Sequence, residues 1–393
     1  MKAAVLAGAL APIHAQEVTT AVDDRVETGV VEVPEVSEES LRHGGLDIEA
    51  IVGVAYDDNI FLSQTSPESD MVLRAGVAAA YQRGDATDGE GAFVQVAYRP
   101  TAVVYAKTES ANRIDQEAAL LAGWRGKASK VSYAGAVRSL GDATADTGRQ
   151  TDRLETANEL RAAWLPREKI AVEVAVGHRR TEYDDATLFD SSRTYGEIAV
   201  RYAYSPKTEV GLAFQAGELK VDDADDQTTR QLAADINWQP REKIRVNLLA
   251  GAEHRDTANG SDINPVLEGR IDWTPRQGTG LYVSGYVREE ASAFLAGQNY
   301  SARGVVAGVS QRLGGSWTAR LDGGYETAGY SLVAGTGTSG RRDKIWFVRP
   351  SLEYKITDAL DVSLFYRISE NRSTAREFGY DQNMAGIELR YQF

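Results

Sequence analysis

Four histidines, two acidic clusters and no cysteine are the raw material from which any chemistry would be built. His178 lies in Gly-His-Arg-Arg and His254 in Glu-His-Arg-Asp, at matching places in two similar segments. Nucleophilic hydrolysis needs a hydroxyl or thiol beside a base, and a third group to orient the base. No Gly-x-Ser-x-Gly motif is present, and equal placement of the two histidines in a repeat points to shared geometry more than to a triad. Asp57-Asp58-Asn59 and the run from Asp222 to Asp226 carry carboxylates that suit a hard cation, but EF-hand spacing is missing, so both read as solvated loop acids. The lack of Cys excludes a disulfide scaffold and any thiolate-held metal. No Gly-rich phosphate loop occurs, and a net charge of −14 repels nucleic acid. The expectation is a protein that is not an enzyme, with no cofactor, no metal site and no nucleic-acid partner. A hydrolase using His178 or His254 is the least favoured alternative.

A second set of polar residues is better ordered. Glu159, Arg161, Glu173, Glu197, Arg201, Arg245, Glu268, Arg270, Arg320, Asp322, Arg349, Glu353, Arg367, Glu388 and Arg390 each sit next to an apolar residue. Leu160, Ala162 and Trp164 alternate with Glu159, Arg161 and Ala163, and Ile170, Val172, Val174 and Val176 alternate with Ala171, Glu173, Ala175 and Gly177. Period two is the mark of strands, whose successive side chains point to opposite faces. The charged residues therefore share one face of a sheet and the apolar residues the other.

The elements that carry them repeat. Ala162–Gly177 reads AAWLPREKIAVEVAVG and Asp235–Gly251 reads DINWQPREKIRVNLLAG. Trp124, Trp164, Tyr204, Trp238, Trp273, Leu313 and Tyr354 recur every 34 to 41 residues, each ahead of a short turn. A period of this size signals a repeat architecture, and here each repeat is a β-hairpin. The connections at the opposite ends are polar and longer: 141–152, 183–193, 221–230, 255–265 and 334–343. Tight turns at one end and long polar loops at the other match transmembrane barrels, with the turns periplasmic. Trp, Tyr and Phe at the rim of an apolar band form a girdle at the headgroup layer; Trp124, Trp164, Tyr204, Trp238, Trp273, Tyr354 and Phe393 are its members. A soluble β-sandwich or propeller is the competing fold, but a propeller blade divides a similar repeat into four short strands instead of two long ones. The fold expected is all-β: a closed antiparallel transmembrane β-barrel of about eighteen strands (16–18), the first over 46–56 and the last over 382–393.

Domain limits follow. Residues 1–15 read as a secretory signal peptide, with Lys2, the apolar stretch Ala3–Ala11 and cleavage after Ala15; it contains His14. Residues 16–44 are acidic and aperiodic, a flexible periplasmic leader that includes His43. Residues 45–393 form the outer-membrane barrel. In lipid the first and last strands must pair, and charges must turn inward, because unpaired backbone groups and lipid-facing charges cost several kcal/mol. An eighteen-strand cylinder is wide enough for water.

Two segments carry a family resemblance. The final strand, MAGIELRYQF, alternates and ends in Phe393, which resembles the C-terminal signal of bacterial outer-membrane proteins and implies handling by the barrel-assembly machinery. Tyr56-Asp57, Asn59-Ile60-Phe61 and the following polar loop resemble the N-terminal motif of the outer-membrane β-barrel porins of the porin 2 type, over nearly the whole chain from residue 46. That resemblance implies an association with exopolysaccharide synthesis and export, and it brings no catalytic residues. A conduit assisting export of an acidic or neutral exopolysaccharide, or passing polar solutes, is the function expected. The alternative is a structural or adhesion barrel with a plugged lumen. Outer-membrane lipid, polysaccharide and a periplasmic export partner are the partners implied.

Overall fold

The computed structural model describes residues 45–393, apart from 87–88, 259, 295–297 and 333–339. Residues 1–44, on which the expected signal peptide and leader, His14 and His43 fall, lie outside the described residues. Long strands follow one another in chain order: β1 (Leu46–Asp57), β2 (Asp70–Arg83), β3 (Gly91–Tyr105), β4 (Arg113–Arg125) and β5 (Ser129–Leu140). A small hairpin, β6 (Ala143–Thr144) and β7 (Arg149–Gln150), interrupts the series. Then come β8 (Arg153–Arg167), β9 (Ile170–Tyr183), β10 (Ser191–Ser205), β11 (Thr208–Val221), β12 (Gln227–Arg241), β13 (Ile244–Thr257) and β14 (Gly260–Arg276). The last six are β15 (Thr279–Ala291), β16 (Gln298–Gly314), β17 (Trp317–Leu332), β18 (Arg342–Lys355), β19 (Leu360–Ser373) and β20 (Tyr380–Gln392).

Each long strand pairs antiparallel with the next, β5 pairs with β8 around the inserted hairpin, and β20 returns to β1. The result is a closed ring of eighteen strands. Closure runs from Glu49 opposite Gln392 to Asp57 opposite Met384, so no strand edge is left to face lipid. Among the described residues no helix is long and apolar enough to cross a membrane.

Alternation sorts the side chains as the sequence predicts. On β9, Val174 and Val176 are 49% and 61% exposed on the outside, while Ala171, Glu173 and Ala175 at the alternate positions are buried inside. The same outward apolar face recurs around the ring, for example Leu212 and Phe214 on β11, Leu267 and Ile271 on β14, and Ile387 and Leu389 on β20.

The Trp-flanked turns have a backbone explanation. Pairing shifts register between Trp164 and Arg167, between Trp238 and Arg241, and between Trp273 and Arg276. In each case the shift leaves room for Pro166, Pro240 or Pro275, none of which owes the ladder an amide. The residue after each Trp donates its amide to the preceding turn: Leu165 to the Ala128 carbonyl, Gln239 to Lys207 and Thr274 to Lys243, all at 2.8 Å. Lys355 to Ser316, Gln392 to Ala359 and finally Phe393 to Ile48 continue the same stitching at 2.8–2.9 Å. Adjacent turns are thus hydrogen-bonded into a seam.

Along the seam the rings stand outward. Trp124, Trp164, Tyr204, Trp238, Trp273 and Phe393 are exposed. Trp164 and Trp238 lie opposite Val172 and Val246, whose side chains they help to cover. Tyr354 stacks on Trp317 at 4.6 Å, and Tyr391 meets Phe393 edge-on at 4.8 Å. Trp317, which the repeat spacing passed over in favour of Leu313, therefore fills the girdle at the β16–β17 turn.

The loop end departs from the expected pattern at two places. The polar segment 255–265 is not a long loop: β13 and β14 pair up to Thr257 opposite Gly260. Strands continue beyond the apolar belt there, because polar residues outside the membrane carry no desolvation cost. The segment 141–152 is long but not a free loop, since it folds as the β6–β7 hairpin.

Candidate functional site: the charged lumen and its bridged mouth

The inner wall is built from rows of three side chains on adjacent strands, long, small and long. Glu159, Gly177 and Tyr195 stand in register on β8, β9 and β10, and the Tyr195 hydroxyl donates to Glu159 across the glycine at 2.7 Å. Tyr282, Gly308 and Asp322 form a similar row on β15, β16 and β17, with the hydroxyl 2.9 Å from the carboxylate. Tyr286 reaches Glu326 over Gly304 in the same way. A Cβ on Gly177, Gly304 or Gly308 would stand 2.2–2.4 Å from the ring lying over it. Glycine is therefore required at the middle of these rows by close approach and not by φ.

Two rows use arginine. Arg161 passes over Ala175 to Glu197 at 3.1 Å, and Arg201 passes over Gly211 to Asp235 at 2.6 Å. They interlock: Arg161 also meets Glu159 at 2.9 Å and Glu173 at 3.1 Å, while Arg201 meets Glu173 at 3.3 Å and Glu209 at 3.9 Å. Five carboxylates thus surround two guanidiniums on β8–β12. Glu173, shared by both, is buried, whereas Arg161 and Arg201 keep part of their surface free.

The other charged residues singled out in the sequence lie on the same inward face but elsewhere around the ring. Arg270 pairs with Asp272 at 2.9 Å and stacks on Tyr282 at 4.6 Å. Glu268 stands opposite Tyr286, and Arg245 opposite Asp272 near the turns. Arg320 meets Glu353 at 2.7 Å; Asp322 stands opposite Arg349, which lies over Phe365; Arg367 lies over Phe347. Arg390 joins Glu388 and Glu49 at 3.3 and 3.4 Å. The structure brings Glu159, Arg161, Glu173, Glu197 and Arg201 into one cluster and disperses the remaining ten.

At the loop end the 141–152 segment crosses the mouth. It springs from β5 and β8, and on an eighteen-strand ring the wall facing that junction is β16 and β17. Its tip lands there. The Asp146 carboxylate accepts from the Tyr330 hydroxyl at 2.9 Å, the Ser292 hydroxyl at 3.1 Å and the Ala293 amide at 2.8 Å. Arg341 donates to the carbonyls of Ala145 and Asp146 at 2.6 and 2.9 Å and grips the buried Asp343 at 2.7 Å. Its guanidinium lies 3.5 Å over the Phe378 ring and 4.2 Å over Tyr330. Ala145 packs with Leu62, Val306, Ile345, Phe347 and Tyr380 in a small apolar cluster. Further contacts tie the bridge to other loops: Arg149 to Asp185 at 2.7 Å, and Gln150 to the Ala111 carbonyl at 3.3 Å.

The residues considered for catalysis and metal binding are placed otherwise. His178 meets only the Thr194 hydroxyl among the described residues, at 2.8 Å, and His254 lies 3.6 Å from Asp256. The first pair has no carboxylate and the second no hydroxyl. Asp57 accepts from the Asn59 amide and Gln382, both at 2.9 Å, and Asp58 from Asn383 at 2.7 and 2.8 Å. The Asn59 side chain holds the backbone of Ser63 and Asp381. The Tyr56–Phe61 motif therefore ties the first loop to the last strand. Asp226 pairs with Lys220 at 3.5 Å. Among the described residues no cluster of His, Cys, Asp or Glu suits a metal ion.

Sequence reasoning passed over Glu209 and Asp235, although the period that selects Glu197 also selects them. It passed over the tyrosines of the rows, whose signal is an inward Tyr opposite an inward Gly. Asp146, Arg341 and Asp343 had no local signal.

Residues 261–393 match the family model described as Putative beta-barrel porin 2. The match lies at the opposite end of the chain from Tyr56–Phe61, so the family likeness is carried by β14–β20. The outer membrane protein OpdK of Pseudomonas aeruginosa is 12% identical, with TM-score 0.46, over 88% of this chain and 98% of that one. OpdQ of the same organism is 11% identical, with TM-score 0.48, over 90% and 98%. OccAB4 of Acinetobacter baumannii is 10% identical, with TM-score 0.45, over 89% and 98%. No curated protein matches. The closed barrel, the apolar outer belt and the porin family match identify a porin-like β-barrel of the bacterial outer membrane.

Proposed function

We propose that this porin-like outer-membrane barrel is a conduit for hydrophilic solutes, narrowed at its outer mouth by the 141–152 bridge, and that it serves a neutral exopolysaccharide on its way out of the cell. The observation that carries the reading is the Arg161–Arg201 cluster. Its guanidiniums are the partly open members of a wall in which carboxylates outnumber them, a hydrated and polar surface. Such a wall attracts cations and neutral polar groups and repels polyanions. It therefore favours a neutral glycan over the acidic one that the sequence left open. The exopolysaccharide itself is suggested by the porin 2 resemblance. The signal peptide, the acidic leader at 16–44 as a docking strip for a periplasmic export partner, and assembly through the Phe393 strand belong to the same proposal.

Conductance of the purified protein in planar bilayers is the test. Discrete, cation-preferring channels that neutral oligosaccharides block are the expected result. Anion preference would overturn the assignment of the acidic wall. A second reading, a closed structural barrel, is favoured by the number of buried polar contacts that Asp146 and Arg341 make. It predicts no conductance at any voltage.

A further inference from the structure

Above the apolar belt, at the loop end, outward-facing cations occur on two sides of the barrel, and they are neutralised differently. On β9–β13 each has an acid. Arg180 pairs with Glu182 at 2.6 Å, Lys220 with Glu218 at 3.2 Å and Arg230 with Asp256 at 3.1 Å. On β16–β19 a single unbroken row runs Arg303, Thr327, Lys344, Arg372, in register across four strands. Arg342 stands two residues beyond Lys344 on the same face, and all four cations are exposed. Glu370 pairs with Arg372 and accepts from the Trp346 indole at 2.8 Å, and it also faces Asp381. Glu289 lies diagonally from Arg303. Lys344 directly opposes Arg372, and like charges opposite one another on a sheet destabilise it unless an anion joins them.

The height of the row identifies the anion. The next outward residues toward the turns are Val305, Tyr325, Trp346 and Glu370, followed by Ala307, Gly323, Val348 and Ile368. Aromatic residues mark the rim of the hydrocarbon band, and cations just beyond them stand at headgroup level. We propose that β16–β19 form a docking surface for the phosphorylated headgroup of an outer-leaflet glycolipid. Its acyl chains lie along the apolar strands below, and its phosphates sit between Arg303, Lys344 and Arg372. A phosphate bridging Lys344 and Arg372 relieves their repulsion through charge-assisted hydrogen bonds. This site is outside the barrel and independent of the conduit reading.

Native mass spectrometry of the full barrel in neutral detergent, titrated with bisphosphorylated lipid A, tests it. One retained lipid A is expected. Arg303→Gln with Lys344→Gln, which spares the Arg372–Glu370 pair, should weaken retention by about tenfold or more, as loss of two headgroup-level cations requires. Lys344→Gln alone should give an intermediate loss, and Arg180→Gln with Arg230→Gln on the neutralised side should change nothing. Heat-modifiable gel mobility verifies that each variant is folded. Undiminished retention by the double variant would overturn the proposal. So would equal retention of phosphatidylglycerol, which makes the row a general anionic-lipid surface, or displacement by inorganic phosphate, which makes it a free-anion site.

Discussion

The two ends of the barrel are built on opposite principles. At the turn end the contacts form a series: amides from the ends of β8, β10, β12, β14, β16, β18 and β20 to the preceding turn, and outward rings along the same rim. At the loop end the decisive contacts occur once. Asp146 meets Tyr330, Ser292 and Ala293, and Arg341 meets Ala145, Asp146 and Asp343, with nothing equivalent elsewhere among the described residues. Repetition distributes stability over many small equal contributions, whereas a single assembly concentrates it in a few side chains. The turn end should therefore tolerate loss of any one member, and the loop end should not.

The largest effect should come from removing the bridge. Replacing residues 142–151 by Asn-Gly, a favoured two-residue hairpin turn, leaves β5 and β8 paired. Single-channel conductance should rise several-fold, with heat-modifiable mobility of the barrel unchanged. If conductance is unaltered, the 141–152 segment does not limit the lumen and the contrast between the two ends is structural only.

Next is Arg341→Ala. Asp343 is 1% exposed and its carboxylate lies 2.7 Å from that guanidinium. Removing one partner of a buried ion pair costs about 3–5 kcal/mol. The loss falls on the mouth, so the expected outcome is rapid proteolysis within 141–152 and noisy open-channel current while the strands remain protected. Uniform destabilisation of the whole barrel would mean that the mouth and wall unfold as one unit.

The same contrast explains what could be read from the sequence. All eighteen long strands were legible, because period-two alternation encodes facing locally. The Trp-x-Pro turns were legible as punctuation, although their register shift was not. The mouth was not legible. Asp146 and Arg341 are 195 residues apart in the chain and come from opposite sides of the barrel, and an Asp in a polar loop looks the same whether it is solvated or pinned. Segment 255–265 misled for a related reason: beyond the membrane a strand may be as polar as a loop, so composition ceases to report secondary structure.

Smaller effects come from the wall itself. Gly304→Val places a branched side chain where the Tyr286 ring lies, and overpacking of this kind costs about 1–3 kcal/mol. The ring must swing into the lumen and release Glu326. Denaturant unfolding in vesicles should show the loss, and Tyr286→Ala in the same background should restore most of it. Failure of that rescue would locate the strain in the backbone and not in the row.

The smallest effect belongs to the girdle. Trp238 is half exposed, lies opposite Val246 and is one of several equivalent rings. A cross-strand aromatic pair with a β-branched residue contributes about 0.2–1 kcal/mol relative to alanine. Trp238→Ala should therefore shift the unfolding midpoint only slightly, and the backbone bond from Gln239 to Lys207 should persist, since no indole atom takes part in it. A loss above about 2 kcal/mol, the scale of a fully buried large apolar side chain, would mean that this residue is a core anchor. The turn end would then be no more redundant than the mouth.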